Sequence, residues 1–248
     1  SLASGAKLHI KAPSSEPEWI EFLCSFFASK GFSIQYSTDH TLPSSELIYA
    51  FGSDQSIEEI TQKNPNSIIK AYGHRFSVLL CSDSEKDARA VAKDIIAYDG
   101  NGCMAPAAIF CLGDSKFFSQ AVFDALLDLE QIRPMGQIDQ YLYPEIRRRI
   151  GLAKIKGTVH SSSKASVLTL PTRYCTPSSL PRIASVYSAR STEEVLRTLL
   201  PWKENLSSLG RSIVVPEIEA LFPRVVSLGE LQTPVFPRKH DGKEMWPH

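Results

Sequence analysis

What the sequence lacks narrows the field first. Its 248 residues carry no net charge, with Lys+Arg and Asp+Glu at 27 each, so no long-range field draws it to nucleic acid or to an anionic membrane. The one dense basic run, Arg147-Arg148-Arg149, fits the exposed face of a helix. No stretch approaches the roughly 20 apolar residues of a membrane span, and no leader pattern opens the chain. The five cysteines (Cys24, Cys81, Cys103, Cys111, Cys175) are odd in number, widely spaced and without a CxxC. That excludes the usual disulfide framework and gives no zinc-ligand spacing; a cytoplasmic protein with free thiols and no metal is expected. There is no internal repeat, no low-complexity tract and no GxGxxG. The chain opens on Ser1-Leu2-Ala3 rather than methionine, as a tagged form, a processed product or an excised fragment would.

What is present alternates between strand and helix patterns. Lys7 to Ala12 reads as a short strand; Ser14, Ser15 and Pro17 open a helix with Trp19, Ile20, Leu23, Phe26 and Phe27 at helical spacing, ended by Gly31. Strands are expected over Phe32–Tyr36 and Leu47–Phe51, then a helix over Asp54–Lys63 after Gly52-Ser53. Ser67–Ala71 and Phe76–Cys81 follow as strands, separated by Tyr72-Gly73-His74-Arg75 as a strand-to-strand turn. A long helix should run from Glu85 to about Tyr98, then a strand over Ala107–Leu112 and a helix over Ser115–Ile132. After Gly157 the texture changes to Ser/Pro-rich loops around strands at Ser166–Leu170 and Ile183–Ser188. A helix over Thr192–Leu200, a short strand near Ile213–Val215, a helix over Pro216–Phe222 and a polar arm from Gln232 complete the chain. This order predicts an α/β fold with an at least partly parallel sheet.

A few residues could carry chemistry. Cys103 follows a Gly-Asn-Gly segment and precedes Pro106; glycines there let a carbonyl approach and free N–H groups for an oxyanion, and a thiol transfers acyl groups readily. The competing reading is an unreactive thiol in a tight turn. Phe51-Gly52-Ser53-Asp54-Gln55-Ser56 is a strand, a glycine and a helix start, suited either to a phosphate on helix N–H groups or to an ordinary N-cap by Ser53 with acidic residues in the first turn. Lys11, at a strand end, reads as a ribose or phosphate contact or as a solvated lysine. His74 reads as a substrate-orienting group or a surface-turn histidine.

The order of these pieces resembles the aldehyde dehydrogenase superfamily from the middle of its cofactor domain onward. Within it, the segments LASGAKLHIKAPSSEPEWIEFL, YAFGSDQSIEEI, YGHRFSVLL, VAKDIIAYDGNGCMAP and LGELQTPVFPRKHDGK are similar to the acyl-CoA reductases, including the LuxC-type fatty-acid reductase of bacterial luminescence. The resemblance implies an aldehyde-dehydrogenase-like α/β fold: residues 1–72 as the second half of a Rossmann-like dinucleotide-binding domain, 73–231 as the catalytic domain and 232–248 as a C-terminal arm.

It further implies that Lys11, Gly52, Ser53 and Ser56 contact NADPH or NADH, that Cys103 carries the acyl group with His74 assisting, and that acyl-CoA is the substrate. Arg75 would hold a phosphate or carboxylate, and His240 and Asp241 would line the acyl or CoA entrance as the stretch Gln232–Gly242 packs back. Where hydrolytic members carry a water-activating glutamate, Lys70-Ala71-Tyr72-Gly73-His74 has no acid, which implies release by hydride or thiol. The family's first βαβ unit and an oxyanion-holding asparagine would lie before Ser1, and an arm that crosses to a partner subunit in many members implies a homo-oligomer. A CoA-acylating dehydrogenase or acyl-phosphate reductase, and a non-catalytic interaction module, stay open beside the reductase reading.

Overall fold

A computed structural model describes residues 7–13, 17–39, 43–102, 104–235 and 239–243. Its backbone divides into two compact units, one reaching to His74 and the other beginning at Arg75.

The first unit holds two parallel strand pairs, each bridged by the helix that a parallel connection requires. β1 (Leu8–Lys11) pairs with β2 (Ile34–Ser37) through α1 (Pro17–Ser29), and β3 (Leu47–Phe51) pairs with β4 (Ile68–Tyr72) through α2 (Asp54–Lys63). The apolar stripe expected to pack on α1 is largely exposed: Trp19 is 65% and Phe26 48% accessible, and Cys24 is the buried residue of that helix. α1 packs on β2, and a two-stranded sheet is too narrow to cover a stripe of that width.

The second unit is built on a seven-stranded sheet in the order β11-β10-β5-β6-β9-β8-β7. Its members are β5 (Phe76–Ser82), β6 (Pro106–Leu112), β7 (Thr158–Ser161), β8 (Ser166–Pro171), β9 (Ile183–Ala189), β10 (Leu206–Arg211) and β11 (Arg224–Ser227). Every neighbouring pair is parallel except β7 with β8.

Both faces of the sheet are buried, so the strands are apolar throughout rather than alternating. Val78, Leu80, Phe110, Leu168 and Tyr187 point to one face, packed by α5 (Tyr143–Lys156), α6 (Thr192–Leu199) and α7 (Pro216–Glu219). Leu79, Cys81, Ile109, Cys111 and Val167 point to the other, packed by α3 (Glu85–Ile96) and α4 (Ser115–Glu130).

Four local expectations are corrected. α3 ends at Ile96, because Tyr98 and Asp99 turn to φ +53 in a 3-10 turn over Ala97–Gly100. Ile213–Val215 is not a strand; the strands are β10 and β11 on either side of it. Tyr72-Gly73-His74-Arg75 does lead from strand to strand, but Tyr72 is itself the last residue of β4, and β4 and β5 belong to different sheets, with the boundary between the two units after His74. Arg149 is buried, not on an exposed face: it donates to Glu145 at 3.1 Å and to Thr176 Oγ1 and O at 2.9 and 2.7 Å. Neighbouring helix positions turn about 100° apart, so Arg148 on the same run stays exposed.

Candidate active site

In the second unit the candidate residues gather where the parallel strands begin. Arg75 leads into β5, Cys103 precedes β6, Ser207 lies near the start of β10 and Arg224 opens β11. Cys103 lies outside the described residues, but its neighbours do not. The Ala105 N–H donates to the Gly102 carbonyl at 2.8 Å, and the Asn101 N–H to Tyr98 at 2.9 Å, so the chain arrives in consecutive tight turns after α3.

Asp241 is placed by a two-residue hairpin turn. His240 and Lys243 exchange backbone hydrogen bonds of 3.0 and 2.9 Å around Asp241 at φ +48 and Gly242 at φ +77, the left-handed pair that an Asp-Gly turn adopts. The turn buries the Asp241 side chain to 8% exposure. Oδ1 accepts from Ser207 Oγ at 2.6 Å, and Oδ2 lies 3.9 Å from Arg75 Nε and 3.7 Å from His240 Nε2. Arg75 also donates through Nη1 to the Leu206 carbonyl at 3.3 Å. The structure therefore brings Arg75, His240 and Asp241 together at the entry to β5 and β10; of the arm, Phe236-Pro237-Arg238 and residues 244–248 lie outside the described residues.

Three residues to which the sequence reading gave no site role of their own complete this edge. The Arg224 guanidinium donates to Leu231 O at 2.9 Å, Glu230 O at 3.2 Å, Ser208 Oγ at 3.4 Å and Met104 Sδ at 3.7 Å, tying both sides of the sheet edge to the residue after Cys103. Gln232 lies against Gly102, where a Cβ would sit 2.9 Å from its Oε1. Arg182, 2% exposed, bonds Asp99 at 2.5 Å and Glu130 at 2.7 Å and anchors the turn before Gly100. An arginine opening an apolar strand was the available signal for Arg224 (Pro223-Arg224-Val225-Val226) and for Arg182 (Pro181-Arg182-Ile183-Ala184); Gln232 had none.

The remaining thiols are poor nucleophiles. Burial pushes Cys175 up to about 12 and Cys81 well above its ordinary range; Cys24 and Cys111 are buried.

The first unit holds the other predicted contacts. Ser53 caps α2, its Oγ accepting from the Ser56 N–H at 3.1 Å and pairing with Ser56 Oγ at 2.8 Å, and Gly52 donates its N–H to Tyr72 O at 3.3 Å. The Asp54 carboxylate is turned onto Gly73, where any Cβ would collide with it. Lys11 is exposed on the other strand pair, and His74 is exposed at the end of the unit. The structure brings Gly52, Ser53 and Ser56 together and leaves Lys11 on a separate sheet. Among the described residues no group of His, Cys, Asp or Glu could hold a metal ion, and no helix is long and apolar enough to cross a membrane.

The fold is aldehyde-dehydrogenase-like, as solved structures show. The chain superposes on the NAD-dependent aldehyde dehydrogenase from Burkholderia multivorans (TM-score 0.58, 15% identity) over 90% of its own length and 50% of that chain. It superposes on the Delta-pyrroline-5-carboxylate dehydrogenase from Mycobacterium tuberculosis (0.68, 14%; 95% and 54%). A third match is the methylmalonate-semialdehyde dehydrogenase from Oceanimonas doudoroffii (0.68, 12%; 94% and 58%). The chain thus spans about half the length of these proteins. Residues 35–248 match the acyl-CoA reductase (LuxC) family, and the chain belongs to that family. No curated protein matches it by sequence.

Proposed function

We propose that the chain is the thiol-bearing part of an oxidoreductase that reduces an acyl-CoA thioester to an aldehyde through an acyl-cysteine. Membership of the acyl-CoA reductase family is the observation that carries this reading, and the cationic, glycine-opened edge around Cys103 supports it.

The Cys103 thiolate attacks the thioester carbonyl; a carbon–sulfur bond to Cys103 forms, the one to CoA breaks, and CoA leaves as its thiolate. Arg224, bonded to the sulfur of Met104 next door, favours the thiolate over the thiol. The oxyanion is assigned in this proposal to the Cys103 backbone N–H. Arg75 and the Asp241 turn form a charged pair on the same edge, suited to the polar arm of the CoA substrate, with His240 beside it. His74 serves as an auxiliary proton donor.

A nicotinamide cofactor fits the first unit in part. α2 offers free N–H groups in its first turn at Asp54 and Gln55, and the Asp54 side chain, turned onto Gly73, leaves that helix end open to a phosphate. Gly52, Ser53 and Ser56 would hold the pyrophosphate side and Lys11 the ribose. NAD dependence named for the Burkholderia enzyme makes NADH or NADPH the expected partner. When bound, the nicotinamide supplies the hydride that releases the acyl group as aldehyde.

Incubation with radiolabelled acyl-CoA tests the proposal. A covalent adduct is expected that disappears in Cys103→Ala and persists in Cys24→Ala; labelling that survives loss of Cys103 refutes it.

A further inference from the structure

α3 carries a carboxylate whose position the proposed chemistry does not use. Asp94 is 1% exposed, and both of its oxygens are spent on the segment after β11. Oδ2 accepts the Gly229 N–H at 2.8 Å and Oδ1 the Leu231 N–H at 2.9 Å. The Gln232 amide donates to the Asp94 backbone carbonyl at 3.4 Å. Gly229, at φ +84, lets the segment turn against Ala90 of the same helix. The same amide group lies against Gly102, the residue before Cys103: a Cβ there would sit 2.9 Å from Gln232 Oε1 and 3.4 Å from its Nε2.

We infer that Asp94 is a positioning residue, which fixes the backbone leading to Cys103 by holding residues 229–232 on α3 and pressing Gln232 onto Gly102. The inference rests on the reading of Cys103 as the acyl carrier. A carboxylate suits the task because it accepts two backbone N–H groups at once. An amide accepts one and sets its own NH2 against the other. Burial raises Asp94 to about 6 against the pull of its backbone bonds and of Arg224, so below that pH one acceptor oxygen becomes a hydroxyl and the tether weakens. The charged groups around it are Arg224 from β11, Lys93 on α3, Glu230 in the tethered segment and Arg133 beyond α4. Lys93 and Arg133 line, with Asp94 and Gln232, a cavity of about 300 Å³.

Asp94→Asn, Gln232→Ala and the double variant separate the outcomes. Hydrogen exchange tests the linkage without any reaction. The peptide covering residues 99–105 should exchange about five- to tenfold faster in both single variants, and no faster in the double variant than in the faster single. Loosening confined to 228–232 in Asp94→Asn, or effects that multiply in the double variant, overturns the linkage.

Acylation from radiolabelled acyl-CoA then tests its consequence. The rate at saturating acyl-CoA should fall about five- to tenfold in Asp94→Asn with half-saturation unchanged. The wild-type decline below pH 6 should lose one inflection in that variant. Wild-type acylation and pH profile in Asp94→Asn overturn the positioning role. Wild-type protein that exchanges as expected yet takes no acyl group overturns the reading of Cys103 and leaves the tether standing. Gln232→Ala keeps both Asp94 bonds, so it answers the question even where Asp94→Asn fails to fold.

Discussion

The two edges of the seven-stranded sheet are used in opposite ways. In open parallel sheets ligands usually meet the edge where strands end, because the following helices present their free N–H groups there. In this protein that edge is closed by its own side chains. Ser84 caps α3 through the Asp87 N–H, Asp114 caps α4 through the N–H groups of Lys116 and Phe117, and Ser191 caps α6 through Glu194. Asp83 takes the Asp114 N–H at 2.8 Å, and Asp87 gathers the Ser82 N–H and the hydroxyls of Ser82 and Ser212. The opposite edge, where strands begin, holds Arg75, Arg224, Gln232, Asp241 and the approach to Cys103. The lesson is that capped helix ends leave one edge structural, so that the proposed recognition falls to the residues before the strands.

The sharpest way to break this comparison is Asp87→Ala. It removes the carboxylate that the Ser82 N–H and the hydroxyls of Ser82 and Ser212 share, which should cost about 3 kcal/mol of stability. Labelling of Cys103 per folded molecule should stay within about twofold of wild type. Urea denaturation beside acyl-CoA labelling reads both; a large loss of labelling in well-folded protein would show that the two edges are not separate.

Asp94, two turns along the same helix, should differ from Asp87 in its pH response. Its folded value near 6 lies above the ordinary 3.8, so between those values the folded state binds more protons than the unfolded. Stability from this group is therefore highest below about pH 4 and declines as pH rises to 6, by roughly 3 kcal/mol. The difference in unfolding free energy between wild type and Asp94→Asn should shift against wild type over that window. A flat difference from pH 4 to 7 would mean that Asp94 titrates as an ordinary carboxylate.

Arg224→Met sharpens the comparison at the other edge. Removing the cation beside Met104 should slow Cys103 acylation about tenfold and move the midpoint of Cys103 alkylation by iodoacetamide upward by about one pH unit. Arg224→Lys should restore the midpoint and part of the rate, since it returns the charge without the four-way fork. An unchanged midpoint in Arg224→Met would remove Arg224 from the chemistry and leave it a structural clamp.

The sequence made the alternation of elements legible where pattern and turn residues agreed. Leu47–Phe51 and Asp54–Lys63 stand as expected, because Gly52-Ser53 and Asn64-Pro65 punctuate them. It failed where tertiary packing overrides propensity. β10 is Leu-Ser-Ser-Leu-Gly-Arg, a poor strand by composition, and Gly210 is there because a Cβ would strike Leu79 at 2.6 Å. β7 and β11 have four residues each, too short for a period to show. The candidate site was half legible. Arg75, His240 and Asp241 were named through family likeness, and the turn that gathers them is written in the Asp-Gly pair. Asp94, Gln232 and Arg182 act through contacts more than 80 positions away in the chain for Asp99–Arg182 and 138 for Asp94–Gln232, which no local pattern encodes.

The smallest effect comes from two glycines at opposite edges. Gly242 holds φ +77, and a Cβ there would sit 3.1 Å from Pro223 Cβ; Gly113 holds φ +132, and a Cβ there would sit 2.6 Å from the Asp83 carboxyl. Alanine at either should cost about 1 to 2 kcal/mol, since both backbones lie where L side chains are strained. The consequences for chemistry should part. Gly242→Ala shifts the turn that aims Asp241 at Ser207 and Arg75, so half-saturation by acyl-CoA should rise about threefold with the saturated acylation rate unchanged. Gly113→Ala disturbs only the bond from Asp83 to the N-cap of α4, so half-saturation should stay at the wild-type value while the unfolding midpoint falls by a few degrees. Equal half-saturation in the two variants would mean that the Asp241 turn does not face the substrate, and the charged pair it forms with Arg75 would then be part of the scaffold.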